Sequence, residues 1–341
     1  MNIALTTRCN KNCSFCFARA HRQESSPQDM ALADFQRLVE LALQDSPPQP
    51  LKLLGGEPTI HPQFVEMLDF LTRKNVRATL ISNLLYTDAR VRARLYQAAL
   101  EGVIDGGLAN AAELEIDNHL EIFKANFTAL QEACAKHGRG YLTAGITLSR
   151  RKSAAEETAY VEYLAGNLEI ACLRLSLDFQ AENKKDEFFI NNKEQGEKIL
   201  AIVHKCLDLR IPPSWDCKLF PCMFEPKTFQ KDIIGFINSL RTGCPVDGAP
   251  FDVFPDMSYI HCYPARILCG KNILKFSRIS EAQGEIAFLK KALRGLSQHS
   301  LPDACRDCGY YQTGQCDSLC PGCQEITAPF LVNQVASSTG L

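Results

Sequence analysis

Between Asn2 and Phe179 the chain repeats one pattern: a short apolar run, then a longer run with apolar residues every three or four positions. The short runs are Asn2–Thr7, Leu51–Thr59, Val76–Asn83, Gly102–Asn110, Tyr141–Ser149 and Ala171–Phe179. Between them, helical spacing covers about 30–44, 62–74, 88–100 and 118–137, with one more helix before the sixth run. Strands alternating with helices at this interval predict a parallel sheet joined by right-handed crossovers. No glycine fingerprint of a dinucleotide site is present, so a barrel, closed or partial, suits the pattern as well as a doubly wound sheet. The expected class is α/β: a partial (β/α)6 TIM-like barrel over 1–185. A bridging helix and linker over 186–240, a small Cys-rich domain over 241–330 and a tail over 331–341 follow.

Composition narrows the functional classes. The net charge is −2, so no global field would draw nucleic acid or an anionic membrane. No apolar run approaches the roughly 20 residues that span a bilayer, and no secretory signal opens the chain. A cytoplasmic protein is expected. Its sixteen cysteines then point to metal ligation or redox chemistry rather than to disulfides. They are unevenly placed: three lie between Cys9 and Cys16, and eight between Cys244 and Cys323.

Each notable motif follows a strand, where a barrel carries its chemistry. Cys9-x3-Cys13-x2-Cys16 follows the first, Gly55-Gly56-Glu57-Pro58 ends the second, and Ser82-Asn83 ends the third. Three soft thiolates in one loop suit a [4Fe–4S] cluster with one iron left open. A zinc loop that borrows a distant ligand is the competing reading. Glycines at the second strand's end let backbone approach a ligand, and Glu57 could accept hydrogen bonds from an ammonium group. The tail reads Cys305-x2-Cys308-x7-Cys316-x3-Cys320-x2-Cys323, with Cys244 and Cys262 upstream. Cys305-x2-Cys308 with Cys320-x2-Cys323 also spells a zinc ribbon, although that leaves Cys244, Cys262 and Cys316 unexplained. Cys134, Cys172 and Cys206 lie within predicted helices or strands and read as buried structural thiols.

The opening loop and GGEP together resemble the radical S-adenosylmethionine (SAM) superfamily, and the tail resembles its SPASM extension. The resemblance implies that Cys9, Cys13 and Cys16 hold a cluster whose open iron is chelated by the amino and carboxylate groups of SAM. Phe15 would lie near the adenine, Gly55 to Pro58 near the ammonium, and Ser82 and Asn83 near the ribose. Arg174 or Ser176, on the sixth strand, would face the same site. An electron from the cluster would cleave SAM to a 5′-deoxyadenosyl radical that abstracts a substrate hydrogen, with flavodoxin or ferredoxin as reductant.

The SPASM-like tail implies one or two auxiliary [4Fe–4S] clusters. Cys305, Cys308, Cys316 and Cys323 would hold one; Cys244, Cys262 and Cys320 would belong to another, with Cys217, Cys222 and Cys269 as spare ligands. The tail departs from the pattern in three ways. Met257 stands where a glycine is usual, a five-residue gap is seven, and the last cysteine follows closely.

Asp178, closing the sixth strand, and Asp105, in the fourth, are candidate proton acceptors in the barrel mouth; a capping or ion-paired role competes for each. Proteins with this extension most often modify peptides or proteins. The first strand begins at Asn2, so a peptide-recognition domain is not expected upstream of it. A separate recognition protein, direct recognition by the barrel, or a small-molecule substrate such as a sugar or nucleoside all remain open. A zinc-stabilised binding protein is the rival from another class.

Overall fold

The computed structural model describes residues 1–16, 27–45, 51–115, 119–136, 142–149, 151–178, 192–215, 219–224, 251–260, 270–288, 303–314 and 316. The expected strands form as β1 (Asn2–Thr6), β2 (Leu51–Gly55), β3 (Ala78–Ser82), β4 (Ile104–Asn110), β5 (Leu142–Leu148) and β6 (Leu173–Leu177). The helices between them are α1 (Leu32–Ala42), α2 (Phe64–Lys74), α3 (Ala89–Leu100), α4 (His119–Ala135) and α5 (Ala154–Asn167).

Local chemistry explains these elements. Helix α1 buries Phe35, Leu38, Val39 and Ala42, one stripe at helical spacing. Asp88 caps α3 by accepting the Arg90 and Val91 N–H groups. Ser153 and Glu156 close a capping box at the start of α5. Helix α2 ends where Asn75 takes the left-handed conformation, at φ 53°.

Strands β1 to β6 lie side by side in sequence order, and every neighbouring pair is parallel. Winding in one direction without a reversal is barrel topology, not a doubly wound sheet. Alternate strand residues separate two faces. Ile3, Leu5, Leu51, Leu53, Leu142, Ala144, Leu173 and Leu175 are sealed in the core shared with the helices. Their neighbours Leu54, Ile81, Leu108, Thr143, Thr147, Arg174 and Ser176 keep partial exposure on the other face.

The sheet extends past the six expected strands. Helix α6 (Asn192–Asp208) packs on α5, and β7 (Pro213–Trp215) adds in parallel to β6. On the far side β8 (Asp252–Val253) pairs in parallel with β1, and β9 (Tyr259–Ile260) pairs antiparallel with β8. Both strands of residues 251–260 thus belong to the same sheet as the barrel. Their hairpin turn closes through Met257 N–H to Phe254 O and Phe254 N–H to Ser258 O, both 2.9 Å. It holds Met257 at φ 63°, backbone that favours glycine. The residue there is not glycine, yet the conformation is the one glycine serves.

Short helices α7 (Asp303–Arg306) and α8 (Gly309–Gln312) carry the described part of the cysteine tail. Among the described residues no helix is long and apolar enough to cross a membrane.

Candidate functional site

The exits of β1, β2, β3 and β4 meet at one end of the sheet. The chain leaves β1 through Thr7 and Arg8 into the cysteine loop, where Cys13 is buried and Cys9, Phe15 and Cys16 are half-buried. A turn closed by Cys16 N–H to Cys13 O at 3.2 Å brings the second and third thiols together.

The two glycines after β2 lie hard against this exit. Gly56 N–H donates to Thr6 O at 2.7 Å, and Glu57 N–H donates to Arg8 O at 2.8 Å. A Cβ on Gly55 would stand 2.3 Å from Thr6 O, and one on Gly56 2.1 Å from Arg8 O. Gly55 also holds φ 152°. The glycines are therefore required by close approach to the chain's own backbone.

Glu57 is fully buried. Its Oε1 accepts the Thr59 N–H at 3.1 Å, the Thr59 hydroxyl at 2.6 Å and the Ser82 hydroxyl at 2.8 Å. Its Oε2 accepts the Asn83 N–H at 2.7 Å. Burial pushes this carboxyl above the usual range while the donors pull it back. Glu57 also caps the 3-10 turn Pro58–Ile60, which Pro58 opens. This carboxylate ties the ends of β2 and β3 together.

Asn83 continues that tie to the cysteines. Its Nδ2 donates to Asn10 Oδ1 at 2.8 Å and lies 3.8 Å from Cys9 Sγ, which also accepts the Lys11 N–H at 3.4 Å. Asn10 in turn donates to Leu85 O at 3.1 Å.

The fourth strand's exit closes the other side, and the sequence motifs did not include it. Lys11 is buried inside the loop, and its Nζ donates to Ala112 O at 2.5 Å and Glu113 O at 3.5 Å. Glu113 Oε1 accepts the Ser14 hydroxyl at 2.6 Å and its N–H at 3.3 Å. Leu84, after β3, and Glu113, after β4, both hold φ 54°, costly backbone for residues other than glycine. The signal that could have found this clamp was the same as for the other motifs: position just after a strand.

Burial raises the Cys13 thiol to about 11; Lys11 lowers it, and Glu113, Cys16 and Cys9 raise it further. Such a crowded set of soft donors fits an iron–sulfur cluster, whose iron would supply the opposing charge. The N–H groups aimed at Cys9 Sγ are the contacts that tune such a centre.

The other expected residues separate. Asp178 is buried immediately after β6, at the carboxyl end, with its N–H donating to Leu148 O at 3.1 Å. Ser176 shares a 2.9 Å hydroxyl contact with Thr147 on the neighbouring strand. Arg174 stands second in β6, and its charge, after burial, lowers the amine of Lys52, second in β2. Asp105 is second in β4, at the amino end, and its charge acts on Cys134. Asp105 therefore sits away from the strand exits that carry the cysteines, and a barrel-mouth role does not match its register.

Cys134 and Cys206 are buried core thiols, and burial raises them to about 11 and about 12. Cys172 is half-buried, with its Sγ 3.6 Å from Ser214 Oγ. Cys217, Cys244, Cys262, Cys269, Cys320 and Cys323 lie outside the described residues. Cys222, Cys305, Cys308 and Cys316 are described, and none forms a disulfide. Among the described residues no three His, Cys, Asp or Glu side chains converge on a single-ion site.

A parallel sheet wound in one direction, with a three-thiol loop at its strand exits, is a partial barrel with a candidate metal site at the mouth. Residues 3–113 match the Radical SAM superfamily.

The 7,8-dihydro-6-hydroxymethylpterin dimethyltransferase of Methanocaldococcus jannaschii is 35% identical over 68 residues, 20% of this chain. The chain spans 13% of that curated relative. Among solved structures, Streptococcus suis SuiB bound to S-adenosylmethionine aligns with TM-score 0.60 and 12% identity, over 91% of this chain and 70% of SuiB. SuiB bound to precursor peptide SuiA aligns at 0.55 and 14%, over 81% and 62%. Native anSMEcpe with bound AdoMet and the Kp18Cys peptide aligns at 0.55 and 14%, over 92% and 86%. At these identities the likeness is one of fold.

Proposed function

We propose that this chain is a radical SAM enzyme that modifies a peptide or protein, by forming a crosslink or oxidising a residue, with the help of one or two auxiliary [4Fe–4S] clusters. The observation that carries the cofactor half of this reading is the strand-exit assembly. The loop of Cys9, Cys13 and Cys16 is held by Asn83, after β3, at Cys9, and by Ala112 and Glu113, after β4, at Lys11 and Ser14, with Gly55 and Gly56 pressed against its base. When bound there, a [4Fe–4S] cluster with SAM supplies one-electron cleavage chemistry.

The chain's own residues do the rest. The cysteine loop presents three thiols, Asn83 and the Lys11 N–H face Cys9 Sγ, and the Glu57 network holds the exits of β2 and β3 in register. Phe15 and Ser82 flank this assembly, and the partly exposed face carrying Leu54, Ile81, Leu108, Thr143, Thr147 and Ser176 offers the substrate a wall. Asp178, at the carboxyl end of β6, is the proton acceptor this arrangement favours.

The peptide reading is supported by fold likeness to two proteins whose structures contain peptides. Support for auxiliary clusters comes from the cysteine tail and from Met257, which holds a glycine-like conformation where the SPASM pattern has glycine. The barrel would span about 1–185 and the SPASM-like domain about 241–330, with flavodoxin or ferredoxin as electron donor and a separate recognition protein for the peptide. The second reading, radical modification of a small molecule, is favoured by the curated relative, a pterin dimethyltransferase.

The test is anaerobic purification with iron, sulfide and zinc analysis, then assay for 5′-deoxyadenosine after dithionite reduction with SAM. The Cys9/Cys13/Cys16→Ala variant should lose about four irons and all SAM cleavage, and keep the auxiliary iron. Unchanged iron would refute the loop assignment, and a colourless zinc protein without SAM cleavage would establish the binding-protein alternative. Turnover of a small molecule with no peptide or partner would decide for the second reading.

A further inference from the structure

Between Cys9 and Cys13 the opening loop turns one lysine inward. Asn10, Asn12 and Ser14 are exposed, whereas Lys11 is only 8% exposed. A lysine is rarely buried unless its ammonium is met. Here the Nζ donates to two consecutive backbone carbonyls just after β4, closely to Ala112 O at 2.5 Å and at longer range to Glu113 O at 3.5 Å. The Lys11 backbone serves the thiols directly, its N–H donating to Cys9 Sγ at 3.4 Å.

The receptor for this ammonium is built by the fold behind it. The Tyr160 hydroxyl, from α5, donates to Ala111 O at 2.6 Å and accepts the Leu114 N–H at 3.0 Å, so one side chain braces both flanks of the Ala112–Glu113 pair. Ala112 N–H donates to Asn110 Oδ1 at 3.1 Å. Ala111, Ala112, Leu114 and Tyr160 are all buried. Glu113 holds φ 54°, a cost that persists only where the surroundings impose it. The same residue takes the loop a second time, its Oε1 accepting the Ser14 hydroxyl at 2.6 Å. A buried ammonium is costly unless its donors are satisfied, so the carbonyl pair and Lys11 require each other.

We propose that Lys11 is a positioning residue for the three-thiol loop. It anchors the loop to the Tyr160-braced exit of β4, and it sets a positive charge within the loop that favours the reduced, more negative state of the cluster held there. The inference rests on the reading that Cys9, Cys13 and Cys16 hold a [4Fe–4S] cluster. Net charge around such a cluster is one of the terms that set its reduction potential, so the two tasks of Lys11 have separate signatures. The anchor acts on how firmly iron is kept, and the charge acts on the potential.

The test uses the full-length chain, reconstituted anaerobically, beside the Cys9/Cys13/Cys16→Ala chain, whose signal is subtracted so that only the opening loop's cluster is followed. The readings are the rate at which a chelator strips that iron and the midpoint potential in a redox titration followed by electron paramagnetic resonance. Lys11→Met keeps the stem and removes charge and donors; it should release iron about tenfold faster and titrate at a more negative potential. Lys11→Arg, which keeps the charge, should hold the parental potential. Tyr160→Phe, which removes the brace but no charge, should speed iron release and leave the potential unmoved. Lys74→Met, at an exposed lysine paired with Glu40, should match the parent in both readings. Circular dichroism should show that each variant is folded. A folded Lys11→Met chain with parental iron release would overturn the anchor, and one with a parental potential would overturn the role of the charge. Should Lys11→Met fail to fold, parental iron release in Tyr160→Phe would overturn the anchor and a displaced potential in Lys11→Arg the role of the charge. Equal iron in the parent and in Cys9/Cys13/Cys16→Ala would instead overturn the cluster reading, and this inference with it.

Discussion

Glu57 Oε2 accepts the backbone N–H of Asn83 at 2.7 Å, across two strand ends, and both residues are buried. This single contact sets where Asn83 can place its amide, which faces Asn10 and Cys9. A Glu57→Gln substitution keeps the shape but must aim an NH2 at a donor on one side. A buried donor left unpaired costs about 1–3 kcal/mol. We expect a lower melting temperature and reduced iron in the first cluster, measured by calorimetry and iron analysis on the reconstituted protein. Full stability and full iron in this variant would refute the tie.

Gly56→Ala is predicted to act on the same loop from beneath. Its Cβ would meet Arg8 O at 2.1 Å and Thr7 O at 2.7 Å, backbone atoms that have little room to yield. Overpacking of this kind costs about 1–3 kcal/mol. Because Arg8 leads directly into Cys9, the strain should appear as lost cluster occupancy as well as lost stability. The measurement is iron content set against a urea unfolding curve; a variant with native iron and a native midpoint would disprove the contact's importance.

The sequence carried the barrel far because each of its six strands and the helices between them has a clean period. It also carried the site's location, because Cys9, Glu57 and Asn83 all closely follow strands. What it could not carry was direction and register. Glu57 reads as an acceptor from its type alone, but only the fold shows its lone pairs spent on Thr59, Ser82 and Asn83. Asp105 lies in a strand as expected, yet one residue from its amino end rather than at its exit. Strand β7 was out of reach for another reason. A run of three residues has no period, and its pairing with β6 is long-range.

Met257 poses a contest of magnitudes. Left-handed backbone costs an ordinary residue about 1–2 kcal/mol, which Met257→Gly would relieve. The same change strips a side chain that is 5% exposed, and burying a methionine contributes about 1.5–3 kcal/mol. Burial wins, so Met257→Gly should destabilise by about 1 kcal/mol, less than removal of an equally buried methionine at ordinary backbone would. Met67→Gly is a poor comparison because it sits in a helix; Met67→Ala, fully buried in α2, is the better one. Chemical denaturation of both variants decides it, and a larger loss at Met257 would contradict the strain.

His61 should make stability fall in mild acid. Its Nδ1 accepts the Gln63 N–H at 3.0 Å, so Nε2 carries the proton and donates to Met30 O at 3.0 Å. Burial lowers its pKa, with Met30 O and Asp29 opposing and Arg8 assisting. In the folded protein the ring therefore stays neutral at pH values where the unfolded chain has begun to bind a proton. The unfolded state gains that proton as pH drops below about 6.5, the ordinary histidine value, so folding stability is full above it and declines below. The decline continues until the folded ring also protonates, and then this contribution levels off. Urea midpoints measured from about pH 8 to about pH 5 should show the fall. A His61→Gln variant, less stable at the alkaline end because the ring's two bonds are disturbed, should show a shallower one. Equal slopes in the two proteins would assign the acid sensitivity to other groups.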